Sequence, residues 1–125
     1  NAVKYTPPEG TITISATDKL QDNGMVAVCL KVIDNGIGIS QEFQKVMFEP
    51  FTQEYSKSRR NGTQAGSGLG LSIVKRLVEL MGGTIRINST SGQGTTVALR
   101  IVMLSFSIEL PQSLGRSRCM VIYSW

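Results

Sequence analysis

The sequence predicts an α/β domain, and three observations predict it. Residues 11–17 and 84–88 alternate polar and apolar side chains with the period of a strand, and each leads through a turn into a second strand, 25–33 and 97–103. Between the two hairpins, Leu71, Val74, Leu77, Val78 and Met81 recur at helical spacing. Glycines and polar runs fill the joints between these segments.

Residues 1–6 read as the end of a helix, because Pro7 and Pro8 have no N–H for the helical ladder and crowd the residue before them. The chain is therefore expected to start inside an element. In 11–17, Thr11, Thr13 and Ser15 share one face and Ile12, Ile14 and Ala16 the other; residues 18–24 turn, and 25–33 is apolar and β-branched, as suits a largely buried strand. Ser40 with Glu42 opens a short amphipathic helix carrying Phe43 and Val46. Residues 52–67 show no apolar period and read as a loop longer than most connections in compact domains. The helix 71–81 ends at Gly82 and Gly83, a left-handed stop. In the second hairpin Ile85 and Ile87 point inward, 91–94 turns, and Val97, Leu99, Ile101 and Met103 alternate in the final strand. Periodicity is then lost, so residues 1–103 are expected to form the domain and 104–125 a tail with no assigned element.

Composition bounds the function. The 125 residues fit one domain, and 41% hydrophobic with 18% charged residues is a globular balance able to bury a core. Thirteen Lys and Arg against nine Asp and Glu give a net charge of +4, which favours a polyanionic ligand such as a nucleotide triphosphate without demanding nucleic acid. Cys29 and Cys119 make neither a disulfide framework nor a CxxC metal pattern. The longest apolar segment, 101–110, falls short of the ~20 residues of a membrane span. No histidine is present, which removes the commonest general base, the commonest metal ligand and any histidine acceptor for phosphate.

Three constellations carry chemistry. Gly66-Ser67-Gly68-Leu69-Gly70-Leu71 runs directly into the long helix: glycines let the backbone approach a ligand, and the first helical amides are unpaired donors at the positive end of the dipole. The spacing is GxGxG after a loop, so neither the dinucleotide fingerprint nor the phosphate loop ending in GK[ST] applies. Asp34, Gly36 and Gly38 leave the apolar strand, and Asp34 shares the parity of Val28, Leu30 and Val32. A carboxylate on that side needs a donor, which an adenine amine would supply; an Asp-Asn-Gly turn with a solvated carboxylate is the alternative. Asn1, Lys4 and Tyr5 lie three and four residues apart on one helix face, grouping an amide oxygen, an ammonium and a phenol. Oxygen ligands suit Mg²⁺.

In order, NAVKYTP, DNGIGI, FEPF, GSGLGLSIVK and GQGTTV resemble the asparagine box, first glycine box, phenylalanine box, and second and third glycine boxes of sensor histidine kinases, over residues 1–102. The family's fold is an open two-layer α/β sandwich of the Bergerat type, helices packed on one face of a mixed sheet, and it agrees with the elements above; the chain is expected to lack that fold's first elements. The resemblance implies ATP and Mg²⁺ as cofactors. Asn1 would give its side-chain oxygen to the magnesium, and Lys4 and Tyr5 would face the phosphates. Asp34 would read the adenine amine, with Gly36, Gly38 and Ile39 in the loop around the base and Thr95 in the water network beside it. Gly68, Leu69, Gly70 and Leu71 would offer amides to the phosphates, with Ser67 nearby. Residues between FEPF and GSGLG would form an ATP lid whose Lys57, Arg59 or Arg60 reach the γ-phosphate, and Phe48 and Phe51 read equally as lid hinges or as core aromatics. Gln53 after the second aromatic resembles hybrid kinases.

The resemblance further implies transfer of the γ-phosphoryl to a histidine on a separate dimerisation and phosphoacceptor domain, a downstream response-regulator receiver domain as partner, no nucleic acid, and a cytoplasmic site. The sequence departs from the family's pattern in three ways: an asparagine one helical turn ahead of Asn1 is missing, Val97 stands where an aromatic is usual, and the acceptor histidine is absent. Two alternatives stand beside the kinase. One is a fragment serving as an interaction module with weak or no ATP binding. The other is an ATP-driven clamp, whose hydrolytic glutamate in the asparagine box has no counterpart in residues 1–6.

Overall fold

The computed structural model describes residues 1–54 and 67–104, together with the backbone of 117–124. Lys57, Arg59 and Arg60 therefore lie outside the described residues. The elements are α1 (Ala2–Tyr5), β1 (Thr11–Leu20), β2 (Met25–Asp34), α2 (Gln41–Gln44), α3 (Gly70–Leu80), β3 (Thr84–Thr90), β4 (Gly94–Leu104) and β5 (Ser117–Ser124).

The five strands form one sheet in the order β3-β4-β2-β1-β5. All four pairings are antiparallel, where the resemblance implies a mixed sheet. The cause is the second hairpin. The crossover through α2 and α3 brings β3 back in the direction of β2, but β4 enters the sheet between them and meets both neighbours antiparallel. The α/β class and the helical layer are as expected.

The first hairpin is longer than the sequence indicates. Asp18 and Lys19 read as turn residues, yet they pair with Val28 and Ala27. The turn needs only three residues: the Gly24 N–H donates to the Gln21 carbonyl at 3.0 Å, the Gln21 N–H donates to the Met25 carbonyl at 2.7 Å, and Gly24 takes the left-handed conformation at φ 74. β5 was not legible at all, since SRCMVIYS presents an apolar run without alternation; its pairing covers the edge that β1 would otherwise expose.

Paired residues share a face of a sheet, so the register sorts the side chains. One face carries Ile12, Ile14, Ala16, Val28, Leu30, Val32, Ile85, Ile87, Val97, Leu99 and Ile101. The other carries Thr13, Lys31, Arg86, Ala98 and Arg100. α3 lies on the apolar face over β3 and β4, with Val78 buried against Gly83 and Ile101.

The apolar stripe of α3 is only partly a core face. Val78 is 4% exposed, whereas Leu77 is 54% exposed and Met81 51%. The helix makes its main contacts with β3 and β4, the strands at one side of the sheet. Val78→Ala is expected to destabilise the chain by about 1–3 kcal/mol in urea denaturation, from lost apolar burial and the cavity left behind. Leu77→Ala, in the same stripe, should stay within about 0.5 kcal/mol.

Candidate functional site

β2 ends at Asp34 and β4 begins at Gly94, and their register closes the apolar face with a row of four residues, Ile12, Asp34, Thr95 and Ser89. Ile12 is buried and the other three half-buried. The Asp34 Oδ1 accepts the Gly36 N–H at 3.0 Å, an Asx turn. No described residue hydrogen-bonds Oδ2. Asp34 thus makes the local turn and stands on the apolar side of the sheet.

The loop after Asp34 is held from three sides. The Ile37 N–H donates to the Tyr5 carbonyl at 3.2 Å, tying the loop to the end of α1, and the Gly92 N–H donates to the Ile37 carbonyl at 2.8 Å, tying it to the β3–β4 turn. The Ile39 N–H donates to Ser89 Oγ at 2.9 Å. Gln44 Nε2 bridges the carbonyls of Ile39 at 2.8 Å and Ser89 at 3.0 Å, and the Ser40 N–H donates to Glu54 Oε1 at 3.0 Å. Two glycines permit this closeness. A Cβ on Gly36 would stand 2.5 Å from the Tyr5 carbonyl oxygen, and one on Gly38, at φ 67, would overlap the Thr90 carbonyl.

Asn1 caps the start of α1 with its backbone carbonyl, which accepts the N–H groups of Lys4 and Tyr5 at 2.9 and 3.0 Å; its side chain makes no capping bond. Lys4 is exposed, its Nζ 5.3 Å from the centre of the Tyr5 ring. The carbonyl of Tyr5 meets the Asp34 loop, so the asparagine segment and the first glycine segment adjoin. Among the described residues no three His, Cys, Asp or Glu side chains group as a metal site.

The second glycine segment meets the phenylalanine segment. Gly68, at φ 73, packs against the backbone of Phe51 and Thr52, and the Phe51 N–H donates to the Gly68 carbonyl at 3.1 Å. The Leu69 N–H turns to Ser67 Oγ at a weak 3.4 Å, and Leu69 stands at the N-cap of α3 without a side-chain cap. The amides of Gly70 and Leu71 open the helix, where no preceding turn supplies acceptors. Residues 51–54 thus join the start of α3 to the Asp34 loop, through Gly68 at one end and Ser40 at the other. Phe51 is not a core aromatic: it is 75% exposed and left-handed at φ 63. Phe48 is half-buried, with Lys75 Nζ 5.1 Å from its ring centre.

Ser89, Gln44 and Glu54 were not among the residues expected to matter. A cleft of about 170 Å³ lies at this end of the sheet, lined by Ile33, Asn88, Thr90 and Thr96 of the opposite face together with Asp34 and Thr95. A larger open cleft of about 750 Å³ lies near the β1–β2 turn, lined by Lys19, Asn23, Cys29 and Arg100 among others. It holds none of the motif residues, and its size alone assigns it no chemistry.

Residues 1–105 match the model of the histidine kinase-, DNA gyrase B- and HSP90-like ATPase family. The chain belongs to that family. Within it, the chain is 43% identical over 111 residues to the virulence sensor protein BvgS of Bordetella bronchiseptica, covering 87% of this chain and 9% of that protein. It is 43% identical over 101 residues to the circadian input-output histidine kinase CikA of Synechococcus elongatus, covering 81% of this chain and 12% of that one. The chain therefore spans about a tenth of the length of these relatives. The crystal structure of full-length ShkA in complex with AMPPNP shares the fold, with a TM-score of 0.56, 30% identity, and coverage of 84% of this chain and 20% of that one. Among the described residues no helix is long and apolar enough to cross a membrane.

The site's geometry depends on the Gly38 contact. Gly38→Ala is expected to cost more than about 2 kcal/mol in denaturant unfolding, because the left-handed backbone and the blocked approach to Thr90 add to one another.

Proposed function

We propose that this domain binds ATP and donates its γ-phosphoryl to a histidine on a separate domain, within two-component signalling. The observation that carries the reading is the meeting of four motif segments: the loop bearing Asp34 is hydrogen-bonded to the end of α1 and to the β3–β4 turn, and it is joined through residues 51–54 to the start of α3.

The residues fit the nucleotide. Asp34 has a carboxylate oxygen free for an exocyclic amine, on the apolar side where a purine ring would also lose water contact. Gly36 and Gly38 leave no side chains between the loop and its neighbours, so the backbone beside the base is fixed before binding. Gly70 and Leu71 offer helix-start amides to phosphate oxygens. Asn1 supplies one amide oxygen, which matches a magnesium that takes its remaining ligands from phosphates and water. When bound, that ion neutralises phosphate charge.

Phosphoryl transfer asks little covalent chemistry of the protein and much positioning. Asp34 would fix the base and the α3 amides would hold the phosphate chain, while Lys4 would bring positive charge from the neighbouring helix. The acceptor lies outside these 125 residues, which contain no histidine. A dimerisation and phosphoacceptor domain and a downstream receiver domain are the partners this reading requires, and ATP supply puts the reaction in the cytoplasm. A clamp ATPase is disfavoured because the FEPF and GSGLGLSIVK segments have the form that resembles the kinases. The exposed flank of α3 gives the interaction-module alternative its one structural support.

Calorimetric titration with Mg·ATP is expected to give saturable binding, weakened at least about 10-fold in Asp34→Asn by loss of a charge-assisted hydrogen bond. Absence of binding by folded wild-type chain would defeat the proposal.

A further inference from the structure

Ser89 stands where the three strands β2, β4 and β3 end together, and its hydroxyl has three polar neighbours. It lies 2.8 Å from the Gly94 carbonyl oxygen, 2.9 Å from the Ile39 nitrogen and 2.9 Å from Thr95 Oγ1. A carbonyl only accepts and an amide N–H only donates, whereas a hydroxyl has one proton to give. The Ser89 proton is therefore committed to Gly94, since otherwise two oxygens would face each other at 2.8 Å with nothing between them. The Ile39 N–H occupies one Ser89 lone pair. The contact between Ser89 and Thr95 then requires the proton of Thr95.

With its proton turned toward Ser89, Thr95 shows only lone pairs elsewhere. Directly across the β2–β4 ladder stands Asp34, whose Oδ1 is taken by Gly36 and whose Oδ2, as a carboxylate oxygen, also only accepts. The row is thus built of acceptors, although a threonine in isolation donates or accepts with equal ease.

We infer that Ser89 is a positioning residue that fixes the Thr95 proton and so makes this end of the sheet select a purine 6-amine over a 6-oxo group. This rests on the nucleotide reading above. An amino group has two N–H donors for two acceptors. A 6-oxo group would set a third acceptor against them, and no proton in the row is free to turn toward it.

The test compares Mg·ATP with Mg·ITP, whose base has oxygen at position 6, on the 125-residue chain by calorimetry. Wild type should prefer Mg·ATP, and Ser89→Ala should shrink the ratio of the two affinities at least about 10-fold, because the freed Thr95 hydroxyl can then donate to the oxo group. Ser89→Thr, which keeps the hydroxyl, should hold the wild-type ratio. Since Ser89→Ala also frees the Ile39 amide, Thr95→Val provides a second route: it leaves the bonds of Ser89 to Gly94 and Ile39 in place, should lower the ratio similarly, and should make a subsequent Ser89→Ala change without further effect on it. An unchanged ratio in both variants, with wild type preferring ATP, overturns the inference and leaves the nucleotide reading intact. Equal weakening of both nucleotides at constant ratio also overturns it, as a structural role alone would do that. Failure of wild type to bind either nucleotide removes the nucleotide reading and the inference with it.

Discussion

A one-residue slip between β2 and β4 would carry Asp34, together with Val28, Leu30 and Val32 of its own strand, to the opposite face of the sheet from Thr95. The register that prevents this is set by the full length of the β2–β4 ladder, from Met25 opposite Leu104 to Asp34 opposite Thr95. Ten consecutive pairs hold it, and the alternation of Val28, Leu30 and Val32 against Val97, Leu99 and Ile101 makes any slip bury polar groups. The chemistry at the end of the sheet is therefore fixed by the packing of its middle. Gly94 takes part in the same constraint: at φ 95 it lies so close to the Asp34 carbonyl that no side chain fits between the strands there.

Around this rigid row, the loop after Asp34 is positioned by partners distant in sequence. Ile39 reaches Ser89 across 50 residues, and Gln44 reaches the Ser89 carbonyl across 45. Each such bond is worth only about 1 kcal/mol net, but several acting on one short loop leave it a single arrangement. The Glu54 carboxylate does the corresponding work at the other side, accepting the Ser40 amide where the loop becomes α2. The Asp34 end of the site is thus anchored on strands, whereas the Gly68 end sits at a helix start joined to it through residues 51–54. A site built this way has one firm end and one that follows the segment connecting them.

Local signals were legible and nonlocal ones were not. β1, β3 and β4 show themselves by alternation, β2 by its apolar β-branched run, α3 by its 3.6-residue period and its two closing glycines, and α2 by Ser40, whose Oγ accepts the Phe43 amide as an N-cap should. Asp34 also stands on the side that its parity predicts, because side-chain alternation is a property of one strand. Gln44, Glu54 and Ser89 were invisible because their roles come from residues on other elements. Ser89 was the most nearly readable: pairing Thr90 with Gly94 around the turn puts Ser89 opposite Thr95, but β3 was expected to stop at 88. The stripe on α3 marks the helix but not its burial. Period reports which residues share a helix face and says nothing of how much of that face the sheet beneath can cover.

The proposed nucleotide site comprises Asp34, Thr95, the α1 end and, joined through residues 51–54, the α3 start. Backbone amide NMR of the 125-residue chain, recorded through a Mg·ATP titration, tests it most directly. Saturable shifts are expected, concentrated at residues 1–5, 34–40, 67–71 and 89–95. Shifts gathered instead around residues 17–23 and Arg100, in the larger cleft at the other end of the sheet, would contradict it, as would a spectrum of folded protein that ATP leaves unchanged.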